Sequence, residues 1–392
     1  MKILIVRTYP DIMNIHAYNV QEIGLAKALI KKGHTCDIVL YYGKNQDKVE
    51  QYQFVDENTG EMYSYRIFWL RGYNFVKNGY MPSLKKILPA YDVIQVDEYD
   101  LLYSWELYTK MTCPTVIYHG LYKSTYTKGY NLKCAVFDRV FLNRRCHDNV
   151  IALTKSQMAG DFLREKGFQK IYPVGVGIDK DNFISYDIGA KNKSLLPDKT
   201  KYRLLYVGKI EERRNSLWLI ELLQAVISEE NVELVVIGTG EKKYLEKFMK
   251  KARPYIESGN LIYLPQVSQK DLTLIYPNCD LFVFPSRYEI FGMVLLEAMY
   301  FGLPVISSLN GGSSILIQNE INGIIMPDFN VSCWANKIKE LIHKSAYGEQ
   351  IGDQARKTIN EKFLWTELSD KFLDAYQHAI DEFENKRAFN EK

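Results

Sequence analysis

No stretch of this 392-residue chain comes near the roughly 18 consecutive apolar residues of a membrane-spanning helix. It has no CxxC pair. Its six cysteines (Cys36, Cys113, Cys134, Cys146, Cys279 and Cys333) are scattered through apolar runs, as free thiols in a reducing compartment are. Nothing reads as a signal peptide, because the apolar run of MKILIVRTYP is too short and no cleavage-type segment follows. These absences point to a cytoplasmic protein. A strong charge of either sign is missing as well. The net charge of +3 is too mild to predict a nucleic-acid face. Internal repeats and low-complexity tracts are also absent.

What is present is an ordinary globular composition, 47% hydrophobic and 25% charged, at a length that suits two domains. Tyrosine is abundant, 29 residues against 5 tryptophans. An apolar ring with a polar tip suits a carbohydrate-lined cleft, and it serves equally well as general filler.

The chain opens with a β-branched run at 3–6, a polar loop, and a helical stripe over 20–32 carrying Ile23, Ala26, Leu29 and Ile30. Gly33 ends that helix and a strand follows at 36–41. This is a β-loop-α-β unit opening a parallel sheet. Further buried strands are predicted at 93–96, 115–118 and 150–153, with an inserted hairpin over 52–68 turning at residues 57–60. The pattern restarts after residue 200, with strands at 203–207, 234–237, 260–264, 281–284 and 305–307. A polar linker is expected at 187–200, and a last helix at about 366–384. The fold class is therefore α/β, with two doubly wound Rossmann-like domains, 1–186 and 187–365, and residues 366–392 returning to the first. Ligands of such sheets bind beyond the carboxyl ends of the strands, so two facing sheets would place the site in an interdomain cleft.

Residues 281–327 carry the most information. A buried strand ends at Pro285-Ser286, a loop bears Arg287, Tyr288 and Glu289, and Phe291-Gly292 leads into a helix beginning at Met293. The first turn of that helix has unpaired N–H groups and the positive end of the helix dipole, which suits a diphosphate. Gly292 admits it closely. Glu289 and Glu297 are poor partners for phosphate and good acceptors for sugar hydroxyls on either side of it. The bland alternative makes Glu289 a helix cap and Glu297 a solvated helix residue.

Glu289, seven residues, then Glu297, within PSRYEIFGMVLLEAMYFGLPVI, resembles the paired-glutamate signature of the retaining GT-B glycosyltransferases of family 4, also called group 1. The downstream NGG and NG…P elements fit as well. The resemblance implies a GT-B fold and transfer of a sugar from a nucleotide diphosphate to an acceptor hydroxyl, with anomeric retention by front-face attack. It implies that Glu289 holds the transferred sugar and Glu297 the ribose, with Phe291, Gly292 and Met293 beside the donor. Where the family has an arginine and a downstream lysine after its first strand, this chain has Lys209 and Arg214, following Gly208. A catalyst needs fixed cations near a leaving diphosphate. Arg213 reads as solvated. Gly238, in Gly238-Thr239-Gly240, either admits the nucleotide or makes a plain tight turn. Val267 stands where the family contacts the base by backbone, and Pro265 there departs from the usual glycine.

The first half matches more loosely. His119 stands where the family has a sugar-contacting histidine. The family's Gly-Gly pair in the first loop is replaced by His16-Ala17, so His16, Tyr18 and Asn19 would contact phosphates or acceptor, or lie on the surface. The basic and aromatic stretch 123–145 would rest on an anionic membrane or form a solvated face. Asp97-Glu98-Tyr99-Asp100 reads as a loop without a His or Cys ligand nearby, and no metal or other cofactor is expected. The expected partners are a UDP-, GDP- or ADP-linked sugar and a carbohydrate or lipid-linked acceptor, with no nucleic acid. Polysaccharide or glycoconjugate synthesis at the cytoplasmic side of a membrane would follow. The rivals are an epimerase or phosphorylase of the same fold, and a non-catalytic sugar-nucleotide-binding subunit.

Overall fold

The computed structural model describes residues 1–56, 59–75, 78–110, 112–144, 147–180 and 195–390. Glu57 and Asn58 of the expected turn, Cys146, Arg145 and residues 187–194 of the expected linker lie outside them, as does the expected domain boundary. The chain forms two compact units, Met1–Ile178 with Trp365–Lys392, and Asp179–Leu364.

The first unit is built on β1 (Lys2–Val6), β2 (Thr35–Tyr41), β3 (Lys48–Val55), β4 (Met62–Leu70), the small hairpin β5 (Tyr73–Phe75) and β6 (Asn78–Tyr80), β7 (Val93–Asp97), β8 (Thr115–His119), β9 (Ile151–Thr154) and β10 (Lys170–Pro173). Eight of these form one sheet in the order β10-β9-β8-β7-β1-β2-β4-β3. Every pairing in it is parallel except β3 with β4, the inserted hairpin. β1, β7, β8 and β9 are buried almost throughout, as strands covered on both faces are. β10, β5 and β6 carry too little apolar pattern to be read from sequence.

The last helix, Trp365–Asn390, belongs to this unit. Trp365 fixes its start. The indole lies where a methyl on Gly24 or Gly177 would stand, so those two glycines make its slot. The Trp365 backbone N–H donates to the Ile178 carbonyl at 3.1 Å. Further along, the Tyr376 hydroxyl donates to the Gln95 side chain at 2.7 Å, and Phe372 packs edge-on against Tyr118.

The second unit has β11 (Tyr202–Val207), β12 (Val232–Ile237), β13 (Leu261–Leu264), β14 (Leu281–Phe284), β15 (Val305–Ser308) and β16 (Ile324–Met326). They form one parallel sheet in the order β13-β12-β11-β14-β15-β16. Counted from β11, this is the 3-2-1-4-5-6 order of dinucleotide-binding folds, which reverses direction between its first and fourth strands. The switch point is therefore the gap between the carboxyl ends of β11 and β14. Leu204, Leu219, Leu223, Leu234, Val236, Phe248, Val283 and Trp334 belong to the core beneath it.

Candidate functional site

In the second unit, Gly208, Arg214, Glu289 and Gly292 gather at that switch point. β11 ends at Val207, and Gly208 follows with φ 156°, its N–H donating to the Ile237 carbonyl at 2.9 Å. A methyl on Gly238 would overlap the Gly208 carbonyl, and one on Gly240 would overlap that of Ile210. Both glycines are thus required by backbone packing between the two strand ends. The Lys209 side chain is exposed, while its carbonyl accepts the Tyr206 hydroxyl at 2.8 Å. A single 3-10 turn, Glu212–Arg214, then leads through Asn215 (φ 57°) into the helix Ser216–Ile227.

Arg214 and Glu289, 75 positions apart in sequence, meet at 2.9 Å. Arg213 also faces Glu289, at 3.7 Å, and pairs with Glu211 at 2.8 Å. Contrary to its solvated reading, Arg213 is a strap: its guanidinium donates to the Tyr288 carbonyl at 3.1 Å, and its own carbonyl accepts the Arg287 N–H at 2.8 Å. The loop after β11 and the loop after β14 are thereby tied together. Glu289 is buried. Burial pushes its carboxyl above the usual range, with Arg214 and Arg213 opposing that shift. It does not cap the following helix, which has no side-chain cap.

That helix, Met293–Tyr300, starts from Gly292 in the left-handed region at φ 79°. A methyl on Gly292 would press on Phe284 and on Glu289 itself, at 3.0 and 3.1 Å. Phe291 is buried and Met293 half-buried beside it. Glu297 is one turn in and almost wholly buried, so it is no solvated helix residue. The Tyr276 hydroxyl donates to its carboxylate at 2.8 Å. Val267 is half-buried just beyond β13.

The downstream NGG has a structural job that the sequence did not disclose. The Gly311 N–H donates to the Glu289 carbonyl at 3.0 Å, and a methyl on Gly312 would overlap the Phe291 carbonyl. Asn310, fully buried, accepts from the Gly312 and Ser313 N–H groups at 3.0 and 3.2 Å and donates to the Ser308 carbonyl at 3.1 Å. The glutamate loop is thus seated on a hydrogen-bonded floor.

In the first unit, His119 ends β8 and is completely buried. Its Nδ1 faces the carboxylate of Glu98, the residue after β7. The reading that no histidine lies near Asp97-Glu98-Tyr99-Asp100 is therefore corrected. β7 and β8 are adjacent parallel strands, so residues 21 apart meet at their carboxyl ends. Burial alone would raise the Glu98 carboxyl, but the His119 charge and hydrogen bond, Lys155 and the Gly120 N–H hold it at about 2. Burial raises the Asp97 carboxyl, reinforced by Glu22, and raises that of Asp100, opposed by Lys133. Glu98, Asp100 and His119 bring ligand atoms within 4.8 Å of one another. The Glu98 carboxylate already faces His119 Nδ1, and Lys133 pairs with Asp100 at 2.8 Å.

The loop after β1 holds the remaining candidates. The exposed His16 donates its N–H to the Asn14 side chain at 3.0 Å. Tyr18 is half-buried. Asn19 (φ 47°) donates to the Gly177 carbonyl at 3.3 Å. The structure brings Glu289 and Arg214 together, seats Gly292, Met293 and Glu297 on one short helix, and keeps His119 and the loop 14–19 in the other unit.

Residues 187–358 match the family model of glycosyl transferases group 1. Among curated relatives, the chain is 29% identical over 179 residues to an uncharacterised glycosyltransferase of Methanocaldococcus jannaschii, covering 45% of each chain. It is 28% identical over 227 residues to a GDP-mannose-dependent alpha-mannosyltransferase of Corynebacterium glutamicum, covering 57% of this chain and 49% of that one. It is 29% identical over 210 residues to a capsular polysaccharide biosynthesis glycosyltransferase of Staphylococcus aureus, covering 50% and 52%. The chain spans about half the length of the curated relatives it matches. Its fold is that of sucrose-phosphate synthase from Thermosynechococcus elongatus, with a TM-score of 0.69 at 16% identity over 97% of this chain and 100% of that one. It is also that of an Anabaena protein solved with UDP, with a TM-score of 0.66 at 14% identity over 96% and 100%.

Proposed function

We propose that this chain, whose residues 187–358 match the family model of glycosyl transferases group 1, is a glycosyltransferase that moves a sugar from a nucleotide diphosphate to an acceptor hydroxyl with retention at the anomeric carbon. The observation that carries the reading is the meeting of Arg214 with Glu289 at the β11/β14 switch point. A guanidinium has five donors in a fixed fork, so Arg214 can hold the carboxylate and a phosphate oxygen together. Lys209, exposed on the same loop after β11, is the second cation, and the first turn of Met293–Tyr300 is the neutral donor set. Together they stabilise charge on the departing diphosphate. Glu289 accepts from the hydroxyls of the transferred sugar, and Glu297, fixed by Tyr276, accepts from the ribose. Gly208, Gly238, Val267, Phe291, Gly292 and Met293 line the donor. His119 contacts the sugar, and His16, Tyr18 and Asn19 meet phosphate or acceptor. The cations make a metal unnecessary, so EDTA leaves the rate unchanged.

Two of the similar Anabaena structures carry UDP with glucose, or UDP-glucose. UDP-, GDP- and ADP-linked sugars are the donors to screen, with a carbohydrate or lipid-linked acceptor in polysaccharide or glycoconjugate synthesis. Product analysis by proton NMR tests the central statement. An α-linked donor gives an α-linked product, and an inverted product contradicts it.

Contact with an anionic membrane belongs to the same reading. The helix Lys128–Val140 exposes Leu132 (68%) and Val136 (55%), one turn apart, with Tyr126 (38%) just ahead. Lys123, Lys128, Arg139 and Arg144 are exposed around them. Asp138 is the single acid from 123 to 144, and Lys166 pairs with it. An apolar ridge rimmed by cations suits the headgroup region of acidic lipids. Among the described residues no helix is long and apolar enough to cross a membrane. The protein sediments with phosphatidylglycerol vesicles, and Leu132→Glu with Val136→Glu abolishes this while leaving donor turnover intact. Equal sedimentation of that variant removes the surface from the account.

A further inference from the structure

The cluster at the carboxyl ends of β7 and β8 holds more than a buried histidine. Glu98 adopts φ 48°, in the left-handed region, at a cost of about 1–2 kcal/mol for a residue with a Cβ. That cost is met where the chain leaves β7 for the turn at Tyr99-Asp100. What it obtains is the placement of one side chain. The Glu98 carboxylate lies against His119 Nδ1 and accepts the Gly120 N–H at 3.2 Å. The imidazole is then gripped on its remaining sides. Phe162 stacks on it at 5.9 Å and 18°, and Tyr99 meets it edge-on at 5.4 Å and 81°. The other ring nitrogen, Nε2, is buried with no hydrogen-bond partner among the described residues. A buried polar atom left so costs about 1–3 kcal/mol and calls for an explanation.

We propose that Glu98 is a positioning residue: it holds the proton on His119 Nδ1, locks the ring, and so presents Nε2 as the atom that meets the sugar. This rests on the reading of His119 as a sugar contact, but it adds a residue and a tautomer that the reading does not contain. The two ring nitrogens are distinct, and the partner of one decides what the other can do. A carboxylate accepts only, so Nδ1 must be the donor and Nε2 is left to bond a hydroxyl. The ligand hydroxyl completes the bond that Nε2 lacks among the described residues. A divalent cation does not fit the same place as well, because Nδ1 is taken by Glu98 and the Asp100 carboxylate by Lys133.

Nitrogen-15 NMR of the histidine rings in the full chain, without any donor, reads the tautomer directly. His119, assigned by its loss in His119→Ala, shows a protonated Nδ1. In Glu98→Ala the Nε2-protonated form grows. A wild-type ring protonated on Nε2 alone, or a tautomer unmoved by Glu98→Ala, overturns the proposal. Release of UDP from UDP-glucose and of GDP from GDP-mannose supplies the second readout. Glu98→Ala lowers kcat roughly 10- to 100-fold with little change in KM, by analogy with partners of ligating histidines, and Glu98→Gln loses less. In a His119→Ala background the same change costs nothing further, since residues acting through one another are not additive. An equal loss in both backgrounds, with circular dichroism unchanged, contradicts positioning. Full activity of His119→Ala with the expected NMR tautomer instead strikes at the sugar-contact reading and leaves the Glu98–His119 coupling standing.

Discussion

At the residue scale, Glu289 is where burial and the proposed sugar contact pull in opposite directions. Its carboxyl is raised by desolvation despite two arginines close by. An acid whose folded-state value exceeds its unfolded one holds its proton longer in the native state. Its burial therefore costs nothing below the ordinary glutamate range and costs stability as pH rises through the folded value. Glu289→Gln is expected to melt higher than the wild type near neutral pH, with the difference shrinking toward pH 4, while turnover falls on the order of 10²-fold. Melting curves across pH, run beside a donor-turnover assay, check both halves. A variant that is less stable at neutral pH and fully active contradicts them. The sequence pattern located Glu289, Arg214 and Glu297, because their spacing and context are local. It could not show that Arg213 straps the loops or that Glu98 reaches His119. Those contacts join residues 75 and 21 positions apart through strand order alone.

At the scale of elements, the glutamate loop is only as well placed as the floor under it. Gly312 packs against the Phe291 carbonyl with no room for a methyl. Gly312→Ala is expected to destabilise the protein by about 1–3 kcal/mol, as overpacking does, and to lower turnover although residue 312 is not among the proposed ligand contacts. Denaturant titration with a turnover assay measures this, and unchanged stability would show that the floor yields freely. The strands of both sheets were legible because buried parallel strands read as β-branched runs, and Leu281–Phe284 was delimited to the residue. β10 and β16 were not, being edge strands of only four and three residues. The Gly238 turn was legible as a glycine pair, but its cause, one strand end lying on another, belongs to the packed structure.

At the scale of the whole molecule, the first unit is made from both ends of the chain. Trp365, slotted between Gly24 and Gly177, carries that dependence. A chain ending at Leu364 is expected to lose the cooperative melting of the first unit and keep that of Asp179–Leu364, giving one calorimetric transition in place of two. Retention of both transitions would show that the last helix is dispensable. The two-unit α/β plan was readable from the restart of the strand pattern after residue 200, whereas the slot for the tryptophan was not.

The central claim is that the second unit grips a nucleoside diphosphate between cations and a helix tip. Thermal melting of the wild type and of Arg214→Ala against UDP-, GDP- and ADP-sugars tests it most directly, because a ligand that binds the native state raises the midpoint by mass action. The account predicts that one donor class raises the wild-type midpoint and that Arg214→Ala, folded and melting normally alone, loses most of that rise. A wild type indifferent to every donor, or an Arg214→Ala chain responding as fully as the wild type, would contradict it.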